Sequence, residues 1–289
     1  MDISNYSLLL FIITTLLYIS SIPIIGKPKL TLEMNKNGIS TITDEQLLNY
    51  YAECFHKLSI FVLIVICTQL GLNISYLIDK CKGNAGKNVG VAVIYTLIPW
   101  FFIFGIMIMC IFAFPGLKSV FSDVIGYFFV ARSANNLLSE ILKDTNIDNI
   151  IQNEQDTTKK MEYEAAAEAI MKICGNKSIL INQMFPDNFI NIWERLKPLM
   201  KSGMYENGGP ENKKQELLDL VVYRDNIGEA LWYIYTAILV GSIVYYNLAT
   251  TECVRDVNSI KADYNEYLKE QEKKEKQEKI NNSVVYTVS

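Results

Sequence analysis

Hydrophobic and polar positions in this chain fall into long blocks. Ala230 to Thr251 is a stretch of 22 residues without a formal charge, bounded by Glu229 and Glu252. An α-helix needs about 20 apolar residues to cross roughly 30 Å of hydrocarbon. Trp232, Tyr233 and Tyr235 lie at its start and Tyr245 and Tyr246 near its end. Amphipathic rings at both rims are the pattern expected where headgroups meet acyl chains. Three further blocks precede it. Leu8 to Ile25 is an uncharged run of 18 that Pro23, Gly26 and Pro28 close, with Lys27 and Lys29 marking the water interface. Leu58 to Ile78 holds 21 uncharged residues between His56-Lys57 and Asp79-Lys80. No charge occurs between Lys87 and Lys118, and Pro99 beside Trp100 predicts a kink in that third span. The pattern predicts an all-α integral membrane protein with about four transmembrane helices. A secretory signal peptide is the rival reading of the first block. Against it, MDISNYS carries no Lys or Arg and no small-x-small cleavage site ends the run.

The polar remainder divides around these blocks. Residues 1–29 form the first span, a signal anchor if it is retained, and residues 30–57 an extramembrane segment. In that segment Asn35-Lys36-Asn37-Gly38 separates two alternating runs, which predicts a small β-hairpin that must lean on something else to be stable. Thr43-Asp44-Glu45-Gln46 has capping-box spacing, so a helix starts there and continues into the second span. Residues 58–115 hold spans two and three, and 116–229 a membrane-proximal helical domain. That domain opens with an interfacial helix over Leu117 to Lys143. A loop follows over Asp144 to Asp156, then a helix from Thr157 or Thr158 to Gly175. A third helix is capped by Asp187 and carries Phe189, Trp193 and Leu196 on one side. Tyr205 to Asn212 reads as an exposed flexible loop, and a helix from about Glu211 runs unbroken into the last span, residues 230–251. Residues 252–289 are a charged tail, helical where Val254, Val257, Ile260, Tyr264 and Leu268 recur three or four apart and disordered toward the end.

Composition adds bounds to this picture. The 289 residues are 50% hydrophobic and 20% charged, which fits several spans plus a sizeable exposed part. A net charge of −4 gives no reason to expect a nucleic-acid partner. Cys54, Cys67, Cys81, Cys110, Cys174 and Cys253 are scattered without a CxxC and read as unpaired structural thiols, not a metal site. Even spans put both termini on one side. Lys80, Lys82 and Lys87 in the second loop nearly balance Lys27, Lys29, Lys36 and Lys57 in the first, with a slight lean toward cytosolic termini.

Candidate chemistry is sparse. There is one histidine, His56, at a membrane rim, and no HExxH, GxSxG, Walker or GxGxxG motif in a fitting context. No Asp, Glu, Lys or Arg falls inside the four blocks, which disfavours coupled transport. The expectation is a protein that is not an enzyme and takes no cofactor or metal. The most distinctive cluster precedes the last span: Tyr223, Arg224, Asp225 and Glu229. On a continuous helix Asp225 and Glu229 share a face with Arg224 beside them. They form either a network that grips the helical domain to the bundle or a charged collar at headgroup level. Gln69, Asn73 and Pro99 would line a water path if the protein were an oligomeric pore. The bland alternative for the two amides is bonding to neighbouring helices.

The block from Tyr223 to Glu229, running into Leu231-Trp232-Tyr233 and Tyr245-Tyr246-Asn247, resembles membrane proteins encoded by nucleocytoplasmic large DNA viruses. The resemblance covers about the last third of the chain and brings no catalytic residues. It implies placement in a virion internal membrane or the host endomembrane from which that is built. The function expected on this basis is structural: a scaffold whose partners are the bilayer, capsid-associated or other membrane proteins, and further copies of itself.

Overall fold

In the computed structural model the described residues are 3–20, 22–81, 85–143, 177–253 and 257–283. They are almost entirely helical. Helix α1 spans Ile3–Ile19, α2 Asp44–Cys81 and α3 Ala85–Pro99; α3 continues through a π-helical turn at Trp100–Phe104 into α4, Gly105–Ala113. Pro99 lacks the N–H that an α-helix needs, and the ladder responds at once by widening to π geometry. Beyond the rim come α5 (Gly116–Phe121), a second π turn (Ser122–Gly126) and α6 (Tyr127–Ile141). A 3₁₀ turn at Lys177–Gln183 and helix α7 (Phe189–Leu196) follow; α8 then runs unbroken over Lys213–Thr250, and α9 is Val257–Ser283.

Three helices are long and apolar enough to cross a membrane: Asp44–Cys81, Gly86–Ala113 and Lys213–Thr250. Helix α1 is apolar but shorter, 17 residues. The capping box forms as its spacing predicts, with Thr43 N donating to Gln46 Oε1 (2.9 Å) and Gln46 N to Thr43 Oγ1 (3.2 Å). The hairpin is present in its smallest form, Glu33–Met34 against Ser40–Thr41. It is held from outside: the Ser40 N–H donates to Asn207 Oδ1 (3.0 Å), and the Lys214 ammonium donates to the Ser40 carbonyl.

Two expectations change here. Tyr205 to Asn212 is not an open loop. Its Gly208 is buried and its Asn207 carbonyl accepts from Lys214 N (3.1 Å), because this turn is what the hairpin docks on. Asp187 does not cap α7. Asn188 takes the N-cap position, and Asp187 accepts from the Tyr51 hydroxyl instead (2.7 Å). The loop over Asp144 to Asp156 and the helix ending at Gly175 lie outside the described residues, as does Val254 of the tail stripe.

Helix α8 is the spine of the fold because its two halves are buried in two different cores. Leu217, Leu218 and Val221 pack with Leu137, Leu138 and Ile141 of α6, with Ile181 and Met184, and with Phe189 and Trp193 of α7. Tyr233, Ala237, Val240, Val244 and Leu248 pack instead with Phe11 and Tyr18 of α1, Phe61 of α2, and Trp100 and Phe104. The spacing of three and four residues along α8 carries one stripe from the helical domain into the bundle. At the changeover α8 presses against the second π turn. A Cβ added at Gly228 would meet Lys118 O, Ser122 Cβ and Ser122 N at 2.8–2.9 Å, and one at Gly126 would meet Arg224 O at 2.6 Å. Backbone lies against backbone, so neither side can yield.

Gly228→Ala is therefore expected to destabilise the fold by about 1–3 kcal/mol through overpacking. Gly241→Ala, where an added Cβ meets nothing within 4 Å, should instead be neutral or stabilise by a few tenths of a kcal/mol through helix propensity. Thermal unfolding of the two variants in detergent checks the contrast.

Candidate functional site: a buried ionic cluster at the membrane rim

The site is built on the turn of α8 that leaves the helical domain. Glu229 is the last charged residue before the uncharged run, and it is buried, 4% exposed. An isolated carboxylate in such a place would cost several kcal/mol. Here it accepts from four donors, two on each oxygen. Tyr18 and Tyr233 donate their hydroxyls to Oε1 (3.4 and 2.9 Å), and the ammonium groups of Lys27 and Lys118 lie 2.8 and 3.0 Å from Oε2.

Local structure delivers each partner. Tyr18 ends α1. The chain after α1 then folds back on itself, Gly26 N donating to Ile22 O (2.7 Å) and Lys27 N to Tyr18 O (2.9 Å), which turns the Lys27 side chain into the bundle. There its ammonium also donates to Asn226 Oδ1 (2.9 Å) and lies 5.5 Å from the centre of the Tyr18 ring. Lys118 comes from the first turn of α5 and is shared with Asp225 (3.3 Å). Burial opposes its charge, yet Glu229 and Asp225 beside it hold the Lys118 ammonium above its ordinary value.

Arg224, one residue before Asp225, points about 100° further round the helix and enters the helical domain. It is fully buried. One guanidinium nitrogen donates to Ile181 O and Asn182 Oδ1, the other to Met184 O (3.0 Å). Asp123 lies 3.6 Å away and the Phe185 ring 5.0 Å away. Arg224 thus collects the carbonyls at the end of the 3₁₀ turn, where Ile181 O also accepts from the Met184 N–H (3.2 Å). Asp225 and Glu229 do share a face, as their spacing requires, while Tyr223 is half exposed and takes no part. Lys27, Lys118, Tyr18 and Tyr233 are the members that the sequence did not single out.

A cavity of about 450 Å³ opens beside the cluster, bordered by Lys118, Asp225 and Glu229, by Tyr50, Tyr51 and Cys54 of α2, and by Phe112 of α4. Among the described residues that line it, no nucleophile is bonded to a base. Among the described residues no group of three or more His, Cys, Asp or Glu is placed to hold a metal ion.

Within the second span, Gln69 and Asn73 are buried and bonded between helices. Gln69 accepts from the Ser7 hydroxyl and donates to Ser7 O (3.1 Å), and Asn73 donates to Thr96 Oγ1 (3.0 Å). Pro99 is buried a turn away. The two amides border a cavity of about 70 Å³ with Trp100 and Ser242, polar and roomy enough for water. Between it and the ionic cluster stands a plug of rings: Phe11, Tyr18, Phe61, Trp100, Phe104 and Tyr233, with neighbouring centroids 4.7–6.1 Å apart. Within a single chain, Gln69, Asn73 and Pro99 do not form a continuous path.

The cysteine expectation is corrected at the rim where α2 and α8 end. Cys81, the last residue of α2, is disulfide-bonded to Cys253, just past α8; Cys54, Cys67 and Cys110 are free. Lys80 beside it donates to Leu248 O, Ala249 O and Thr251 O (2.9, 2.7 and 2.9 Å), capping the end of α8.

Glu229→Leu should cost about 3–5 kcal/mol, because it strands the buried Lys27 ammonium and leaves Lys118 with Asp225 alone. Replacing Lys27 and Lys118 by Met as well, with Asp225→Asn, should recover most of that loss, since packed apolar groups avoid the desolvation cost. The loss from Lys118→Met alone should be constant between pH 7 and 10. A lysine pKa raised on folding contributes stability that is complete below its unfolded value of about 10.4 and fades only above it. Melting curves in detergent across that range test both statements. No protein-family model, curated protein or solved structure matches the chain, so the reading of this site rests on its own geometry.

Proposed function

We propose that the chain is a non-enzymatic scaffold of a membrane, with α1 as a fourth span and the helical domain held rigidly against one rim. The observation that carries this reading is α9. Every described side chain from Val257 to Lys279 on this helix is exposed, including Val257, Ile260, Tyr264, Tyr267 and Leu268. Glu270, Glu272 and Glu275 precede Lys274, Lys276 and Lys279 by four residues, an arrangement that supports a solvated helix. A solvated helix with an apolar stripe is a contact device, and its root lies four residues from the Cys81–Cys253 disulfide. The sequence resemblance adds the setting: the internal membrane of a large DNA virus, with capsid-associated or other membrane proteins as the partners of α9.

The disulfide also speaks to orientation. Disulfides persist on oxidising faces, so the tail-side rim faces away from the cytosol. That orientation puts Lys27, Lys29, Lys36 and Lys57 on the cytosolic side with the helical domain. This reverses the slight lean drawn from the lysine count alone.

An oligomeric pore is the second reading. Planar-bilayer currents abolished by Gln69→Leu or Asn73→Leu would favour it over the scaffold.

Deleting Arg255 to Ser289 should leave the protein resistant to carbonate extraction but abolish its crosslinking to partners in assembling particles. Normal assembly of the truncated protein would remove α9 from the scheme. Translation into microsomes tests the orientation. Glycosylation is expected at the Asn281-Asn282-Ser283 sequon and should vanish in Asn281→Gln. A shift that vanishes in Asn176→Gln instead would put the helical domain in the lumen and overturn the assignment.

A further inference from the structure

Two hollows lie between α2 and α4. One is a groove of about 530 Å³ walled by Leu58, Val62 and Leu63 on α2 and by Gly105, Ile108 and Met109 on α4. It lies within the uncharged stretches, at hydrocarbon depth. Its one polar side chain, Ser59, already donates to Phe55 O (3.0 Å), so the groove offers an occupant only apolar contact. The other hollow is the 450 Å³ cavity beside Glu229, within the roughly 300–1,000 Å³ range of small-molecule sites. Phe112 is a wall of both, standing edge-on to Phe55 with ring centroids 6.0 Å apart. A slot that is apolar at membrane depth therefore ends in a charged chamber at the rim.

We propose that this cleft seats one bilayer phospholipid with a zwitterionic headgroup. An acyl chain fills the groove, the phosphate faces Lys118, and the ammonium faces Asp187 and Tyr51. The proposal rests on α2 and α4 spanning a membrane and is independent of the scaffold reading.

The shape fits an amphiphile, and the charges select the headgroup. The chamber is bordered by Lys27 and Lys118 and by Asp187, Asp225 and Glu229, a surplus of one negative charge. An anionic headgroup would meet that surplus, whereas a zwitterion presents one charge to each sign. Lys27 and Glu229 are almost fully buried in their own pairing. An entering headgroup therefore meets Lys118, which is partly accessible while still paired to Glu229 and Asp225, and the exposed Asp187. Phosphate takes a charge-assisted hydrogen bond from an ammonium. At the other end the Tyr51 ring borders the chamber beside Asp187, and aromatic faces attract quaternary or primary ammonium groups.

The test uses the full chain, delipidated in detergent and titrated with dioleoyl-phosphatidylcholine or dioleoyl-phosphatidylglycerol, with bound lipid counted by native mass spectrometry. One phosphatidylcholine per chain should be retained at least tenfold more tightly than phosphatidylglycerol. Met109→Trp, which fills the groove, should weaken retention tenfold or more. Ile238→Trp, on the exposed face of α8, should not. Asp187→Lys turns the chamber's surplus positive and should invert the preference toward phosphatidylglycerol, a change that a folding defect alone does not produce. If Met109→Trp does not fold, the Asp187→Lys comparison decides by itself. Equal retention of both lipids by the wild type, unchanged by Asp187→Lys, would mean annular lipid only and overturn the seat. Release of the chain by carbonate would instead remove the membrane reading beneath it.

Discussion

The four donors on the Glu229 carboxylate tie together parts of the chain that lie far apart in sequence. Tyr18 closes α1, Lys27 follows it, Lys118 begins α5 and Tyr233 is one turn further along α8. In lipid, apolar side chains gain little by choosing a neighbouring helix over an acyl chain, so contacts between spans are set by close packing and polar bonds. A buried carboxylate with two ammonium partners is directional. It fixes the rotation of α8 and the depth of α1 together. It also explains why the ring cluster above it is ordered as it is: Tyr18 and Tyr233 belong to both, giving their hydroxyls to Glu229 and their faces to Phe61.

Much of this arrangement was legible from local signals. Uncharged runs gave the long helices, Thr43 and Gln46 gave the start of α2, and Asn-Gly gave the hairpin. Each depends on residues within a few positions of one another. The charges before the last span drew attention for the same reason, since Asp225 and Glu229 are separated by one helical turn. Their partners were not legible. Lys27 lies 202 residues from Glu229, and a lysine just past an apolar run has the look of an ordinary headgroup anchor. Arg224 was visible, but its role as a collector of carbonyls depends on a 3₁₀ turn that no periodicity announces.

The Cys81–Cys253 pair is a different kind of miss, because its signal was present. An even number of spans returns the chain to the same face. Cys81 stands three residues beyond Ile78 and Cys253 two beyond Thr251, each just outside a span that ends on that face. Composition alone, with no CxxC and 172 residues between the two, concealed what span parity brings together.

The two rims are fastened by different chemistry, and the difference follows from what each must hold. At the domain rim the fastening is ionic and many-partnered, because several short elements converge and each can supply one group. At the tail rim the end of α2 is joined directly to the end of α8. There a single covalent link and one lysine that caps three carbonyls suffice. Held to α1 and α5 at one end and to α2 at the other, α8 resists sliding along its axis. A helix gripped only by apolar contacts in lipid would lack that restraint.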